Sequence, residues 1–259
     1  MRGSYHNLKW FGLTVVLLTV LVLGYLLPAP RAVPADALQA PTTEHWLGTD
    51  PVGHDLMRLL VVAACRDLGL SLWITAQAAL VALGVGTLSA FRPQGVFDTC
   101  QNTVARILDS IGSFLILSAV VVVFPRANLW LISGFLALLL WPNLSHTIRY
   151  ETISLLRSSP VEAAKAIGAS PMWIVTRYIL PGVARRLAPL ALAMVASMLA
   201  LIGALGFIGV GIAEPASLGG LIYDSHFYVR SAVHYFAASL VTFSLVLTAI
   251  SSTSFFARS

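Results

Sequence analysis

SPVEAAKAIGASPMWIVTRYILP, residues Ser159 to Pro181, is the stretch on which the reading of this chain turns. It is a polar-flanked interruption between apolar runs, and helix start and stop signals are written into it twice. Ser159 is suited to cap a helix, Pro160 to the first helical position, and Glu162 to the carboxylate of a capping box. Gly168 is a left-handed stop. Ser170 and Pro171 then repeat the opening signal, and Pro181 marks an end. The spacing predicts one short helix over Pro160–Ile167 and a second over Pro171–Leu180.

Composition says what surrounds this pair. Of 259 residues, 58% are hydrophobic and 10% charged, where ordinary soluble domains carry about 25% charge. Mean hydropathy is +0.84. The chain is therefore read as an all-α, polytopic membrane protein forming one membrane domain, 1–259. The net charge of +5 is assigned to basic residues kept on the cytoplasmic side, not to a nucleic-acid partner. Cys65 and Cys100 have no metal-site spacing, and a disulfide between them is not expected.

About six spans are legible as uncharged runs long enough for a bilayer: 10–27, 68–91, 104–124, 127–147, 187–213 and 231–257. The first also has features of a signal peptide, with a cleavage site at Ala35-Asp36-Ala37. The third holds only 15 uncharged residues from Ser110 and crosses only if its helix starts near Val104. In the second, Ala82, Gly86 and Ala90 recur every four residues, a stripe that lets another helix approach closely. The sixth is rich in Ser and Thr, so part of it is expected to face protein or a cavity. His146 is placed at the end of the fourth span. Before the second span, Asp50 and Asp55 suit a turn capping a helix from about Asp55 better than a metal site.

With the N-terminus inside, eleven of the sixteen Lys and Arg fall on inside segments. Six lie in one loop: Arg149, Arg157, Lys165, Arg177, Arg185 and Arg186. The bias predicts both termini in the cytoplasm, with the 159–181 pair there too.

Absences bound the chemistry. No phosphate-binding Gly-rich loop is present and no Cys/His cluster, so no catalytic residue, cofactor or metal is assigned to this chain. The spans carry almost no ionisable residues, with His234 and His146 as the only candidates for a coupling site, whereas ion-coupled transporters place ionisable groups there. If the chain transports, its energy comes from another subunit. Physics leaves two readings of the helix pair open: a rigid handle for a soluble partner, or an amphipathic pair resting on lipid. Trp173, Ile174, Arg177 and Tyr178, at helical spacing, would seat the second helix against the span ends. Ala163, Ala164 and Ala166 give the first helix a slim surface.

Glu162-Ala163-Ala164, then Gly168, then Ile179-Leu180-Pro181 resembles the EAA motif of ABC-importer permeases. Gly48 to Leu60 is similar to the GTDxxGRDxxSR signature of the dipeptide, oligopeptide and nickel permease subfamily, its C-type subunit. Asp98, Arg106 and Asp109 resemble that subfamily's DxxxxRxxD segment. Trp141-Pro142, Arg149 and Glu151 match the approach to the EAA loop, and Leu205 to Gly211 its LSFLGLG motif. Pro215 and Leu218-Gly219 match its proline and WG pair. His54 replaces the signature Arg, and the tail lacks the usual GDxxRD ending, so the member is divergent.

The resemblance implies a type I ABC-importer permease fold in a bacterial inner membrane, with 159–181 as a cytoplasmic coupling loop. It implies a homologous permease subunit as the other half of a heterodimer, and two cytoplasmic ATPase subunits holding ATP and Mg. It further implies an extracytoplasmic solute-binding protein. The implied solute is a peptide, with nickel or a metal–metallophore complex as the alternative. A non-transport membrane scaffold with a basic loop is the rival class.

Overall fold

The computed structural model describes residues 32–91, 95–112, 115, 118, 119, 122, 123, 129–209 and 217–256. The first expected span, 10–27, lies outside them, as does most of 113–128. The described chain is helical: α1 Leu56–Phe91, α2 Val96–Ile111, α3 Leu129–Leu156, α4 Ser159–Ala166, α5 Pro171–Ile174, a π turn over Val175–Ile179, α6 Leu180–Phe207, α7 Leu218–His226 and α8 Val233–Phe256. Among the described residues, three stretches are long and apolar enough to cross a membrane: Leu56–Phe91, Leu190–Phe207 and Val233–Ser252.

Several boundaries differ from the expected ones. Helix α1 starts at Leu56, as the Asp55 turn predicts and twelve residues before the uncharged run at Leu68, because Asp55 Oδ1 accepts the Arg58 amide at 3.1 Å and opens the helix there. Charges at Arg58, Arg66 and Asp67 lower hydropathy without breaking helical geometry. At 36 residues and about 1.5 Å per residue, α1 exceeds the ~30 Å of a bilayer core. Helix α3 likewise runs nine residues past Thr147, so His146 sits within it, partly buried, and not at its end. The helix expected over 104–124 instead begins at Val96 and stops at Gly112, whose φ of +78° suits glycine. The loop 214–230 contains α7, opened by Ser217, whose hydroxyl accepts the Gly220 amide at 3.0 Å.

Pro181 does not end the second helix. The helical path continues through it from Pro171 to Phe207. A proline inside a helix removes one backbone hydrogen bond, and its ring crowds the carbonyl four residues back. The π turn just before it carries the Leu180 amide to the carbonyl of Val175, five residues back.

The chain groups into two compact units, with the divisions falling inside α1, inside α6 and near the end of α8. The first holds the described residues up to Leu72 and those between Val195 and Thr253. Leu56, Leu60 and Ala63 of α1 pack there with Leu218 and Leu221 of α7 and with Ala232 and Tyr235. Leu68 meets Val195 and Leu199 of α6 and Ile250 of α8. Glycines permit contacts tighter than any side chain: a Cβ on Gly219 would stand 2.2 Å from the Gly203 carbonyl oxygen. The buried Asp67 carboxylate accepts the Leu218 amide at 2.8 Å, closing the N-terminus of α7.

The hydroxyls of α8 need less outside help than its composition suggests. Ser239 is buried, as expected. Ser244, Thr248 and Ser252 are exposed, and each donates to a carbonyl of its own helix. This masks their polarity from an apolar surrounding.

The second unit holds Trp73 to Met194. The small-residue stripe performs the expected packing. Ala82 and Ala90 are buried, and a Cβ on Gly86 would lie 2.7 Å from the Ser145 carbonyl oxygen and 2.9 Å from Ile148. Helix α2 is inside-out: Asp98, Gln101 and Ala105 are buried, while Val96, Val104 and Ile107 are exposed. That pattern suits an apolar exterior and a polar seam inside.

Candidate functional site

The stretch 159–181 forms an elbow at the end of α3. Ser158 bends the chain: its amide and hydroxyl both donate to the Leu155 carbonyl, at 3.0 and 2.6 Å. Its hydroxyl therefore does not cap α4, and α4 starts at Ser159 itself, so the expected Ser159 cap is not made. The Glu162 amide donates to the Ser158 carbonyl instead, at 3.0 Å. Lys165 reaches back from α4 to the Leu156 carbonyl at 3.3 Å, satisfying an end group of α3.

The stop is as expected. Gly168 has φ +81°. Its amide donates to Lys165 at 3.0 Å, and the next amide, Ala169, donates to the Ala164 carbonyl at 3.0 Å. These are the paired bonds of a Schellman motif. The second start is also as expected: Ser170 Oγ accepts the Trp173 amide at 3.3 Å. Beyond it the π turn changes the register. Residues five apart now share a face, so Ile174 and Ile179 are both buried while Trp173 and Tyr178 stack edge-on with centroids 5.6 Å apart.

The residues of the motif divide by exposure. Glu162, Ala163, Gly168 and Leu180 are exposed, and Pro181 is partly buried. Ala164 and Ile179 are buried. Ala164 therefore does not belong to the slim outer surface; with Val161, three residues earlier, it faces inward, where α4 packs on α3. Arg177 and Trp173 are exposed, so of the four residues expected to seat the second helix, Ile174 and Tyr178 carry that task.

Two apolar side chains missing from the sequence reading, Ile167 and Met172, join Trp173, which was expected to seat the second helix, on the exposed face. Ile167 is 83% exposed, Met172 72% and Trp173 45%. The signal was present in the stop itself. Helical spacing places Ile167 beneath Ala164, but it is the residue before the glycine, and the chain turns it outward. The elbow thus exposes Ala163, Ala166, Ile167 and Met172, together with Glu162 and Lys165.

Behind the elbow, α3 is held from two sides. Arg186 of α6 pairs with Glu151, and a Cβ on Gly182 would stand 2.8 Å from Leu155, so the start of α6 lies tightly on the end of α3. On α2, Asp98 Oδ2 accepts from Arg149 at 2.7 Å, and Gln101 donates to Ser145 at 2.8 Å. Arg106 donates to the Asn102 carbonyl at 3.2 Å.

In the first unit, the residues of the Gly48 to Leu60 signature build a clasp. Gly48 and Gly53 have φ of +80° and +87°. Asp50 accepts the amides of Val52 and His54 at 2.9 and 2.7 Å, and His54 Nδ1 lies 2.7 Å from its other oxygen. His54 thus closes the turn on Asp50. Asp55 lies 2.8 Å from His45 Nδ1. That hydrogen bond raises His45 above the usual histidine range. Burial pushes Asp55 up, but the bonds from His45 and the Arg58 amide outweigh it and hold Asp55 low. Each carboxylate is occupied by its own turn, and among the described residues no acid–histidine cluster suits a metal.

Together these features define an all-α, multi-pass membrane protein with the type I ABC-importer permease fold. The chain belongs to the family of binding-protein-dependent transport system inner membrane components, which matches residues 82–258. It is similar to the oligopeptide transport system permease protein OppC of Mycobacterium bovis, 33% identical over 72% of this chain and 65% of that protein. The Escherichia coli (strain K12) OppC is 33% identical over 70% of this chain and 59% of the relative. That of Lactococcus lactis subsp. cremoris is 27% identical over 71% and 63%. The chain thus spans less than two thirds of the length of these relatives. Among solved structures, an inward-facing form of the MetNI methionine ABC transporter superposes with a TM-score of 0.60. It is 21% identical and matched over 78% of this chain and 96% of that one.

Proposed function

We propose that this chain is a permease subunit of an ATP-driven importer and forms half of a translocation pore. Its other half is a homologous permease subunit. Two cytoplasmic ATPase subunits hydrolyse ATP, and an extracytoplasmic binding protein delivers the solute. The chain itself does no covalent chemistry. Both termini lie in the cytoplasm, and peptides are the leading solute class, in keeping with the relatives named for oligopeptide transport.

The observation that carries this reading is the elbow. A surface-resting helix pair needs an apolar face toward lipid and nothing more. Here the last turn of α4 is fastened by Lys165 on the Leu156 carbonyl and by the Gly168 stop, and its start by the Val161 and Glu162 amides on the Ser158 carbonyl. Ala163 and Ala166 of α4, and Ile167 just beyond it, are left facing outward. That is a rigid, slim handle for a groove. Glu162, Ala163 and Gly168 meet or shape the contact, with Ala164, Ile179, Leu180 and Pro181 as its support. ATP-driven closure of the ATPase pair moves α4, and α3 and α6 carry the motion into the membrane. Differential ligand affinity for the inward- and outward-open states then sets their populations.

The test is co-purification of the wild-type chain, Glu162→Lys and Gly168→Pro with the ATPase subunits. Docking predicts that both substitutions lose the ATPase while the chain stays in the membrane. Equal recovery from all three refutes it.

A further inference from the structure

Between α1, α2 and α3 of the second unit lies a buried polar seam that docking does not explain. Asp98 is its centre and is 3% exposed. It accepts from Ser89 Oγ of α1 at 2.5 Å, from Asn102 at 3.2 Å, and from Arg149 Nη2 of α3 at 2.7 Å. One turn along α2, Gln101 donates to Ser145 of α3. Helices α1, α2 and α3 are therefore joined at one level, close to the end of α3.

A purely stabilising role is a poor account of this seam. Burying a carboxylate and a guanidinium carries a desolvation cost that their attraction offsets only with good geometry, and apolar residues of similar volume often stabilise as well or better. The geometry here is not the best available. Arg149 engages Asp98 end-on through one nitrogen, whereas a two-pronged pairing is the strong form. Its Nε is buried without a hydrogen-bond partner among the described residues, as are Gln101 Oε1 and Thr152 Oγ1. What the pair does specify is position: it fixes the rotation and height of α3 against α2.

Arg149 stands seven residues, about 10 Å of helix, before Leu156, where α3 ends and the elbow begins. Helix ends fray, and a push on α4 is absorbed if the last two turns of α3 yield. We propose that Asp98 and Arg149 form a strut anchoring these turns, so that displacement of α4 reaches α2 and α1 instead of being lost at the elbow. Both are positioning residues. The transport role of the strut rests on the function proposed above; the anchoring itself does not.

The test has two arms. In the first, the purified full chain is compared with Asp98→Asn/Arg149→Gln, an uncharged pair that keeps hydrogen-bonding groups. Hydrogen exchange over 149–168 accelerates at least tenfold in the variant, while 233–252 stays unchanged. Unchanged exchange over 149–168, or an equal acceleration in both segments, overturns the anchoring. Asp98→Asn alone, which keeps the shape and hydrogen-bonding groups but removes the charge pair, is the second variant if the first does not fold, and is judged by the same criterion. In the second arm, the complete complex in proteoliposomes takes up radiolabelled trialanine while ATP consumption is recorded. The variant hydrolyses ATP within about twofold of wild type but imports at least tenfold less trialanine per ATP. An unchanged ratio overturns the coupling role. A wild-type complex that imports no trialanine counts against the peptide-import reading, and the exchange arm then decides the strut alone.

Discussion

Replacing Gly168 by alanine isolates one energetic contribution at the elbow. Gly168 sits at φ +81° with open space where a Cβ would stand, so the substitution meets no collision. What remains is the cost of holding an L-residue in the left-handed region, about 1–2 kcal/mol. Helix α4 has eight residues, too few to be stable alone, so the cost falls on local opening and not on global unfolding. A shift of that size multiplies the open population roughly 5- to 30-fold. Hydrogen exchange measured residue by residue reads it directly: the amides of Ile167, residue 168 and Ala169 should exchange faster by that factor in Gly168→Ala. Gly168→Asn, which visits this region more readily, should fall between Ala and wild type. Equal rates in Ala and wild type, or Asn as fast as Ala, would show that the stop does not hold α4.

Other consequences can be checked in the same preparations. Gly219→Val drives a side chain into the backbone of Gly203, where even a Cβ would stand 2.2 Å from an oxygen; overpacking of this kind costs about 1–3 kcal/mol or more, and the thermal midpoint should fall well below that of Gly84→Val, a glycine with open space. Asp67→Ala strands the buried Leu218 amide, at a cost of about 1–3 kcal/mol, whereas Asp67→Asn keeps an acceptor and should lose less; equal losses argue against the cap. The His45–Asp55 pair makes the clasp pH-dependent. His45, raised, contributes fully below its unfolded value, and that contribution is lost as pH rises through the higher folded one. Asp55, lowered, contributes above its unfolded value and is lost as pH falls through the folded one. Protection of 45–58 against exchange, corrected for intrinsic rates, should therefore peak between roughly pH 4 and 6.5 and decline on both sides. A flat profile, or one unchanged by His45→Gln, contradicts this.

What was legible in the sequence was local. Gly168, Ser170 and the opening of α1 at Asp55 each depend on a few neighbouring residues, and each forms as read. The small-residue stripe also reads correctly, because helical spacing alone puts Ala82, Gly86 and Ala90 on one face. Hydropathy misplaced the helix ends, since Arg58, Arg149 and Arg186 interrupt apolar runs without interrupting helices. The π turn was invisible for a different reason. Nothing in Val175–Ile179 differs in kind from ordinary helix, yet one extra residue per turn moves Ile179 into the core and lets the path continue through Pro181. The Asp67–Leu218 and Asp98–Arg149 links join residues 151 and 51 positions apart, a separation no local pattern encodes. At the elbow, the motif marked the place but not the face: Ala164 turned inward, and Ile167, Met172 and Trp173 were exposed instead.

Cysteine cross-linking from α4 tests docking most directly. In a chain with Cys65 and Cys100 replaced by alanine, a cysteine at Ala163 is offered to the ATPase subunits in native membranes, with Val52→Cys on the clasp as the control. The account predicts an adduct between chain and ATPase from position 163, none from position 52, and a yield at 163 that changes when ATP is added. An ATPase adduct of equal yield from both positions, or none from Ala163 in a complex that hydrolyses ATP, would contradict it.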